Sequence, residues 1–207
     1  MSAGRSLQPV PTDKLAEIAA GQGGLFTRTQ ALGCGFSHYH VRRRLVDGRW
    51  VVVLGPVLAR GGTTVSPALL DRAVALALPG AVLAGPSAAR WYGITVPAPG
   101  QYAIVPVSDG RTLSGVRLWR EDLPASDVST VDGVSVTCRS RAVFDCARVL
   151  PDADAADLMG RALRERWTTW QEFTTRVHRY GRRRGAPRLA ALARMRQPAH
   201  GAAPAGG

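Results

Sequence analysis

The sequence lacks the common signatures of catalysis, secretion and membrane insertion. It contains no nucleophile-elbow serine, no Walker phosphate-binding loop and no paired-carboxylate signature. Its three cysteines, Cys34, Cys138 and Cys146, form no CxxC pair and are odd in number, so no disulfide framework is predicted. No N-terminal apolar run resembles a signal peptide, and no stretch reaches roughly 18 uninterrupted apolar residues. These absences argue against an enzyme, a disulfide-rich secreted domain and a membrane protein, and they predict a cytoplasmic protein.

Lysine is almost absent too, because Lys14 is the only lysine among 27 basic residues. The net charge of +12 nevertheless favours a polyanionic partner, and nucleic acid more than a membrane surface. Residues 1–62 carry 8 basic and 3 acidic side chains, residues 63–150 carry 8 and 7, and residues 151–207 carry 11 and 5. Two basic ends therefore flank a balanced centre, and phosphate contacts are expected at the ends. The excess of Ala, Gly, Arg, Val and Pro indicates a GC-rich coding bias, which explains part of the arginine content.

The most informative segment is a short basic helix predicted over 37–45. Ser37 is a suitable N-cap, and Phe36 and Val41 occupy the staple positions around it. Val41 and Leu45 are four residues apart, so they share one face and can dock on a core. At about 100° per residue, Tyr39 and Arg43 then lie on the opposite face, while His40, Arg42 and Arg44 lie on the flanks. Such a helix can enter the major groove of DNA.

The segments around this helix predict a winged helix-turn-helix over residues 12–62. Two helices are expected before it, near 12–20 and 27–32, with Gly33-Cys34-Gly35 as the turn. Two strands are expected after it, Trp50–Leu54 and Pro56–Ala59, with Gly55 at the bend. The alternative interpretation of the arginine run is a solvated helix face without a ligand.

Two sets of residues are therefore candidates for DNA binding. In the N-terminal module, Tyr39, His40 and Arg43 are predicted to face base edges, and Arg42, Arg44, Arg49 and Arg60 to neutralise phosphates. Four polar residues near the starts of the second and third helices complete this set: Thr27, Arg28, Thr29 and Ser37. The second set is Arg182, Arg183 and Arg184, between two glycines, for which a solvated loop is the alternative.

The remainder of the chain predicts a mixed α+β domain over residues 63–196 with a helical C-terminal part. Short strands are expected near 101–107, 116–120, 127–131 and 134–137, and Asp132-Gly133 is a type I′ hairpin signal. Helices are expected over 67–78, 87–92, 140–149, 152–166, 169–180 and 187–196. Residues 1–11 and 197–207 are predicted to be disordered tails. The overall fold class is therefore α+β, with contacts to protein as the predicted task of residues 63–196.

Metal and thiol chemistry have weak support. Cys34, His38 and His40 have no further Cys or His nearby to complete a tetrahedral site, so no metal is predicted. We expect His38 to pack against the helix core and His40 to face DNA or solvent. Asp145-Cys146 with the distant His178 resembles a thiol and its base, but the apolar face around Cys146 favours a buried structural cysteine. No cofactor is predicted.

The chain resembles the AbiEi-type antitoxins of abortive-infection toxin–antitoxin pairs. The resemblance covers roughly residues 12–195 and rests on the N-terminal module and three later segments, 83–94, 115–120 and 137–148. It implies a winged helix that binds operator DNA and represses its own operon, and a C-terminal part that counteracts a nucleotidyltransferase-like toxin. Together with the residue patterns above, it leaves double-stranded DNA, such a toxin and a second copy of the chain as candidate partners.

One departure from this family concerns catalysis. Many actinobacterial relatives continue into a nuclease domain resembling very-short-patch repair enzymes, which needs clustered carboxylates to hold its metal. The last carboxylate here is Glu172, and residues 173–207 contain neither Asp nor Glu. The nuclease activity is therefore not expected. A DNA-binding regulator, a toxin-neutralising interaction module and a solitary transcription factor remain open as hypotheses.

Overall fold

The computed structural model describes residues 11–180, 189–191 and 193, and their contacts divide the chain into two compact units. The first unit comprises the described residues up to Leu83, together with Gly100–Asp122 and Asp132–Ser135. The second comprises Ala84–Pro99, Leu123–Val131 and the described residues from Val136 onward. The predicted α+β fold class is confirmed. The predicted tails lie outside the described residues, except that Pro11 begins the first helix.

The first unit begins with three helices and a small antiparallel sheet. Their order is α1 (Pro11–Gly21), β1 (Leu25–Thr27), α2 (Arg28–Gly33), α3 (His38–Val46), β2 (Trp50–Leu54) and β3 (Val57–Arg60). β3 is the central strand, with Ala59 opposite Leu25 of β1 and Val51 of β2. This is the predicted winged-helix arrangement with one addition. The sequence pattern did not reveal β1, because a three-residue strand is too short to show alternation and is defined by its pairing with β3.

The first unit continues beyond residue 62, the predicted end of the DNA-binding domain. Its later elements are α4 (Pro67–Ala77), β4 (Val82–Leu83), β5 (Gln101–Val105) and β6 (Val116–Arg120). Within this unit, β5 is antiparallel to β4 and parallel to β6. Ala73 of α4 is fully buried in one cluster with Leu25, Val57 and Ala59. α4 therefore covers one face of the winged-helix sheet, while independent folding of 12–62 and 63–196 stays a prediction.

The second unit is mainly helical. Its elements are α5 (Gly85–Trp91), a 3-10 turn (Ala125–Asp127), β7 (Val128–Val131), β8 (Val134–Thr137, which starts in the first unit), α6 (Arg139–Val149), α7 (Asp152–Arg164) and α8 (Trp170–Tyr180). Asp132 and Gly133 have positive φ values of 46° and 75°, as the predicted type I′ turn between β7 and β8 requires. Phe144 and Phe173 meet edge to face in the core at 6.1 Å between ring centroids. The predicted helix over 187–196 is helical at its described residues, 189–191 and 193.

A buried ionic network lies inside the second unit. The Arg141 side chain is 0% exposed; its Nη1 lies 3.0 Å from Asp127 Oδ2 and its Nε 2.9 Å from Asp145 Oδ2. Arg148 Nη1 reaches Asp145 Oδ1 at 3.0 Å, and Arg176 Nη1 reaches Asp127 Oδ1 at 2.6 Å. Charges taken from water at this depth need partners of opposite sign, and each of these carboxylates has two. The network joins α6 and α8 to the 3-10 turn that precedes β7.

The environment of Cys146 confirms a buried structural cysteine. Burial, reinforced by the neighbouring Asp145 carboxylate, raises the pKa of the Cys146 thiol well above its usual value. Burial also raises the pKa of Asp145, although Arg141 and Arg148 oppose that effect. At Asp127 burial acts in the same direction, but the guanidinium groups of Arg176 and Arg141 outweigh it and lower the pKa. A fully buried thiol beside an ion-paired carboxylate is poorly placed to act as a nucleophile.

Gly61 closes the base of the β2–β3 hairpin and leaves no space for a side chain. Its N–H donates to the Arg49 carbonyl oxygen at 2.8 Å, and a Cβ at this position would overlap the carbonyl oxygen of Gly48. We expect Gly61→Ala to lower the free energy of unfolding by about 1–3 kcal/mol, as forced overpacking does. Gly33→Ala is the control, because nothing lies within 4 Å of its Cβ position. Equal denaturation midpoints for the two variants would contradict the prediction.

Candidate nucleic-acid interface

The start of α3 is capped as the sequence predicts. Ser37 has extended backbone angles, and its Oγ accepts a hydrogen bond from the backbone N–H of His40 at 3.2 Å. Phe36 before the cap and Val41 in the first turn are buried in the same cluster. The cap and the staple therefore fix where the chain enters the helix.

An aromatic cluster fixes α3 on the three-stranded sheet. Val41 is 1% exposed and lies in one cluster with Phe26, Phe36 and Trp50, against which Leu45 packs. The Trp50 ring meets Phe26 edge to face at 4.8 Å and Phe36 at 5.1 Å. Because Val41 and Leu45 occupy the inner face of α3, the residues on the opposite face point outward.

The outer face of α3 presents the predicted base-reading residues. Tyr39 is 63% exposed, and His40, Arg42 and Arg43 are exposed as well. Arg43 Nη1 donates to the Tyr39 hydroxyl at 3.2 Å, and Arg43 Nε lies 3.6 Å from Asp47 Oδ2. The central arginine of this face is therefore held between two neighbours on the same side of the helix.

Two residues of α3 differ from what the sequence suggests. Arg44 is half-buried, with its guanidinium carbon 5.0 Å from the Phe36 ring centroid and 5.2 Å from that of Trp50, so it stacks on the aromatic cluster. The prediction that His38 packs against the helix core is wrong, because this side chain is exposed. We attribute this to the staple, in which Phe36 fills the space beside Val41.

The basic residues of the wing lie at its base. Trp50 and Arg60 are paired across β2 and β3, and Arg49 directly precedes this pair. The tip, residues 54–57, contains no basic residue. Arg49 and Arg60 are both exposed, and the tip turns at Gly55 with φ of 52°. Cationic side chains of the hairpin are therefore found at its open end.

An open groove of about 500 Å³ joins α3 to the hairpin base. It brings together four of the predicted DNA-binding residues, His40, Arg43, Arg44 and Arg49, with Asp47. Thr12, Gly35 and Phe36 complete the lining and were not predicted as site residues. The sequence assigns Gly35 to a turn and Phe36 to the staple, but their place in the groove, like that of Thr12, follows from tertiary packing.

The predicted residues at the start of α2 have different tasks. The Thr27 Oγ1 accepts from the backbone N–H of Gln30 at 3.1 Å, and Gln30 Oε1 accepts from that of Thr27 at 2.7 Å, which forms a capping box. Arg28 and Thr29 are exposed, and the Arg28 N–H donates to the Pro56 carbonyl at 2.9 Å. Thr27 is therefore committed to the cap, whereas Arg28 and Thr29 remain available to a ligand.

Other predicted features are settled only in part. Arg182, Arg183 and Arg184 lie outside the described residues, so their proposed phosphate contacts stay a prediction. In the described part of the chain, no group of three or more His, Cys, Asp and Glu side chains could hold a metal ion. None of the described helices is both long and apolar enough to cross a bilayer.

Comparison with solved structures shows a similar fold. The crystal structure of the RV2827C protein from Mycobacterium tuberculosis superposes with a TM-score of 0.56 and 18% sequence identity, covering 90% of this chain and 77% of that one. At this identity the likeness concerns the fold alone. Among curated protein sequences, none matches the chain.

The N-terminal module also matches a family model. The matched residues, 13–53, run from α1 into β2 and include the whole of α3, and the family is described as "Transcriptional regulator, AbiEi antitoxin". The later segments of the resemblance, 83–94, 115–120 and 137–148, lie outside the match and stay a prediction. Over residues 13–53 the resemblance is confirmed: this part of the chain matches the AbiEi antitoxin family of transcriptional regulators, and the structure around it is a winged helix.

Proposed function

We propose that this protein is a transcriptional regulator that binds duplex DNA by placing α3 in the major groove. The observation that carries the proposal is the outer face of α3, where Tyr39, His40 and Arg43 project from a helix anchored by Val41. A major groove admits one α-helix, and Arg, His and Tyr can all bond base edges there. The match of residues 13–53 to a regulator family supports the same proposal.

We propose a division of tasks among the basic residues. Three exposed arginines would neutralise the phosphates beside the groove: Arg42 on the flank of α3, and Arg49 and Arg60 at the hairpin base. Arg28 can contact phosphate from the start of α2, because the first helix of a helix-turn-helix crosses the DNA backbone. Arg44 stabilises α3 by stacking on the rings of Phe36 and Trp50. We further propose that the protein represses its own operon in the cytoplasm and has no catalytic role.

Replacing Arg43 by alanine tests this proposal. We expect the variant to bind the preferred duplex more weakly by about 1–3 kcal/mol, the usual contribution of a bidentate arginine–guanine contact. Preference at one position of the site should also flatten. The site is first selected from a random duplex library with the full chain, and affinities are then measured by fluorescence anisotropy at several salt concentrations.

Arg164→Ala is the matched control, because it removes the same charge from an exposed position of α7. If both variants keep full sequence discrimination, α3 does not read bases through Arg43. If wild-type affinity is equal at low and high salt, phosphate neutralisation is excluded as well, since each phosphate contact contributes about 0.9 to the salt slope.

The family description also names antitoxins, and this supports a second candidate function. We propose that residues 63–196 contact protein, either a second copy of the chain or a nucleotidyltransferase-like toxin. The test is to express the gene adjacent to this one alone and together with the full chain. Growth arrest relieved by co-expression, with co-purification of the two proteins, supports the antitoxin role. An adjacent product that neither arrests growth nor binds leaves a solitary regulator.

A further inference from the structure

Three side chains form a ladder along the exposed face of α3. Tyr39, Arg43 and Asp47 follow one another at intervals of four residues, so they lie above one another on the helix. The Arg43 guanidinium sits between its neighbours, with Nη1 3.2 Å from the Tyr39 hydroxyl and Nε 3.6 Å from Asp47 Oδ2. The ladder lies in the face that we assign to DNA.

Stability does not explain the carboxylate in this ladder. The Arg43 and Asp47 side chains are 64% and 40% exposed, and exposed ion pairs contribute little to stability. Asp47 is also the C-cap of α3, where the helix dipole disfavours negative charge. It lines the groove beside Arg43, Arg44 and Arg49, where a carboxylate would repel a nearby phosphate. A negative charge at this position therefore disfavours both the helix and DNA binding that is independent of sequence.

We infer that Tyr39 and Asp47 are positioning residues that make Arg43 specific for a base edge; this rests on the proposed function. Arginine carries several N–H donors, and those not turned toward Tyr39 and Asp47 can bond a guanine edge in a fixed orientation. The Asp47 carboxylate also partly neutralises Arg43, which weakens its attraction to phosphates of any sequence. Asp47 thus raises the ratio of specific to non-specific affinity rather than affinity itself.

The test uses the full chain with the substitution Asp47→Asn. Dissociation constants are measured on the selected duplex and on a scrambled duplex across a range of salt. We expect the scrambled duplex to bind more tightly, with a salt slope steeper by about one unit, because Arg43 becomes free to contact phosphate. We expect the specificity ratio to fall about tenfold, within the usual contribution of a bidentate contact. Asp47→Glu, which keeps the charge, should restore part of the ratio.

Removing the Tyr39 hydroxyl tests the other end of the ladder. Tyr39→Phe keeps the ring and deletes only the group that accepts from Arg43. We expect its specificity ratio to fall by about two- to fivefold, consistent with loss of one exposed hydrogen bond. An unchanged ratio would remove Tyr39 from the positioning role.

Two controls separate positioning from net charge. Asp157→Asn makes the same charge change at an exposed position of α7 and should leave the specificity ratio unchanged. In an Arg43→Ala background, Asp47→Asn should cause no further loss of specificity, because coupled residues are not additive. An equal loss in both backgrounds, or no loss in the wild-type background, overturns the inference. A wild-type chain without any sequence preference overturns the proposed function itself, so the two failures are distinguishable.

Discussion

Replacing Trp50 by alanine is expected to lower the free energy of unfolding of the first unit by about 3–5 kcal/mol, the usual cost of deleting a large buried aromatic side chain. Trp50 is 5% exposed and contacts the rings of Phe26 and Phe36, while the Arg44 guanidinium stacks on it. The substitution would leave a cavity in place of the aromatic ring against which α3 packs. DNA affinity should therefore fall together with stability, although Trp50 itself is not expected to touch DNA.

Val52→Ala is the control for this prediction. Val52 lies on the same strand but is 55% exposed, so its truncation should change stability by less than about 0.5 kcal/mol. Urea unfolding followed by circular dichroism gives the stabilities, and anisotropy with the selected duplex gives the affinities. A Trp50→Ala protein that unfolds at the wild-type midpoint would show that the aromatic cluster does not hold α3.

Arg141→Met is expected to destabilise the second unit by about 3 kcal/mol or more, because it leaves two buried carboxylates with one cation fewer. Methionine fills a similar volume, so the effect reports mainly the lost charge. Asp127 would keep Arg176 and the Tyr180 hydroxyl, which donates to it at 3.1 Å, and Asp145 would keep Arg148. These remaining partners limit how much free energy of unfolding is lost.

The matched control is Arg139→Met, two positions earlier on α6. Arg139 is exposed, with its guanidinium carbon 5.1 Å from the Tyr92 ring centroid, so we expect a loss below about 1 kcal/mol. Thermal and urea unfolding of both variants provide the comparison. If Arg141→Met is as stable as wild type, the network contributes no net stability, as with ion pairs that hydrophobic residues can replace.

The buried network also shows where sequence patterns stop being informative. Arg141 lies on α6, whose other buried residues are apolar except for Asp145, and an arginine is normally expected to be exposed. Its partner Asp127 lies 14 residues earlier in the chain, and Arg176, which also pairs with Asp127, lies 35 residues after Arg141. Only the packing of α6 and α8 around the 3-10 turn before β7 brings Arg141, Asp127 and Arg176 together.

The sequence by itself determined the features that depend on residues a few positions apart. The Ser37 cap, the Phe36–Val41 staple and the outward face of α3 follow from local hydrogen bonding and helical periodicity. The Asp132-Gly133 turn follows from the positive φ angles that a type I′ hairpin needs. These features were sufficient to predict the winged helix and most of its candidate DNA-binding face.

Tertiary structure decided which of those residues are free to act. It paired the short β1 with β3, covered the sheet with α4 and turned Arg44 from an exposed cation into a stacked one. It also exposed His38, because Phe36 fills the space beside Val41. Each of these outcomes depends on elements that are distant in sequence or on competition for the same buried space. Local periodicity carries no information about either.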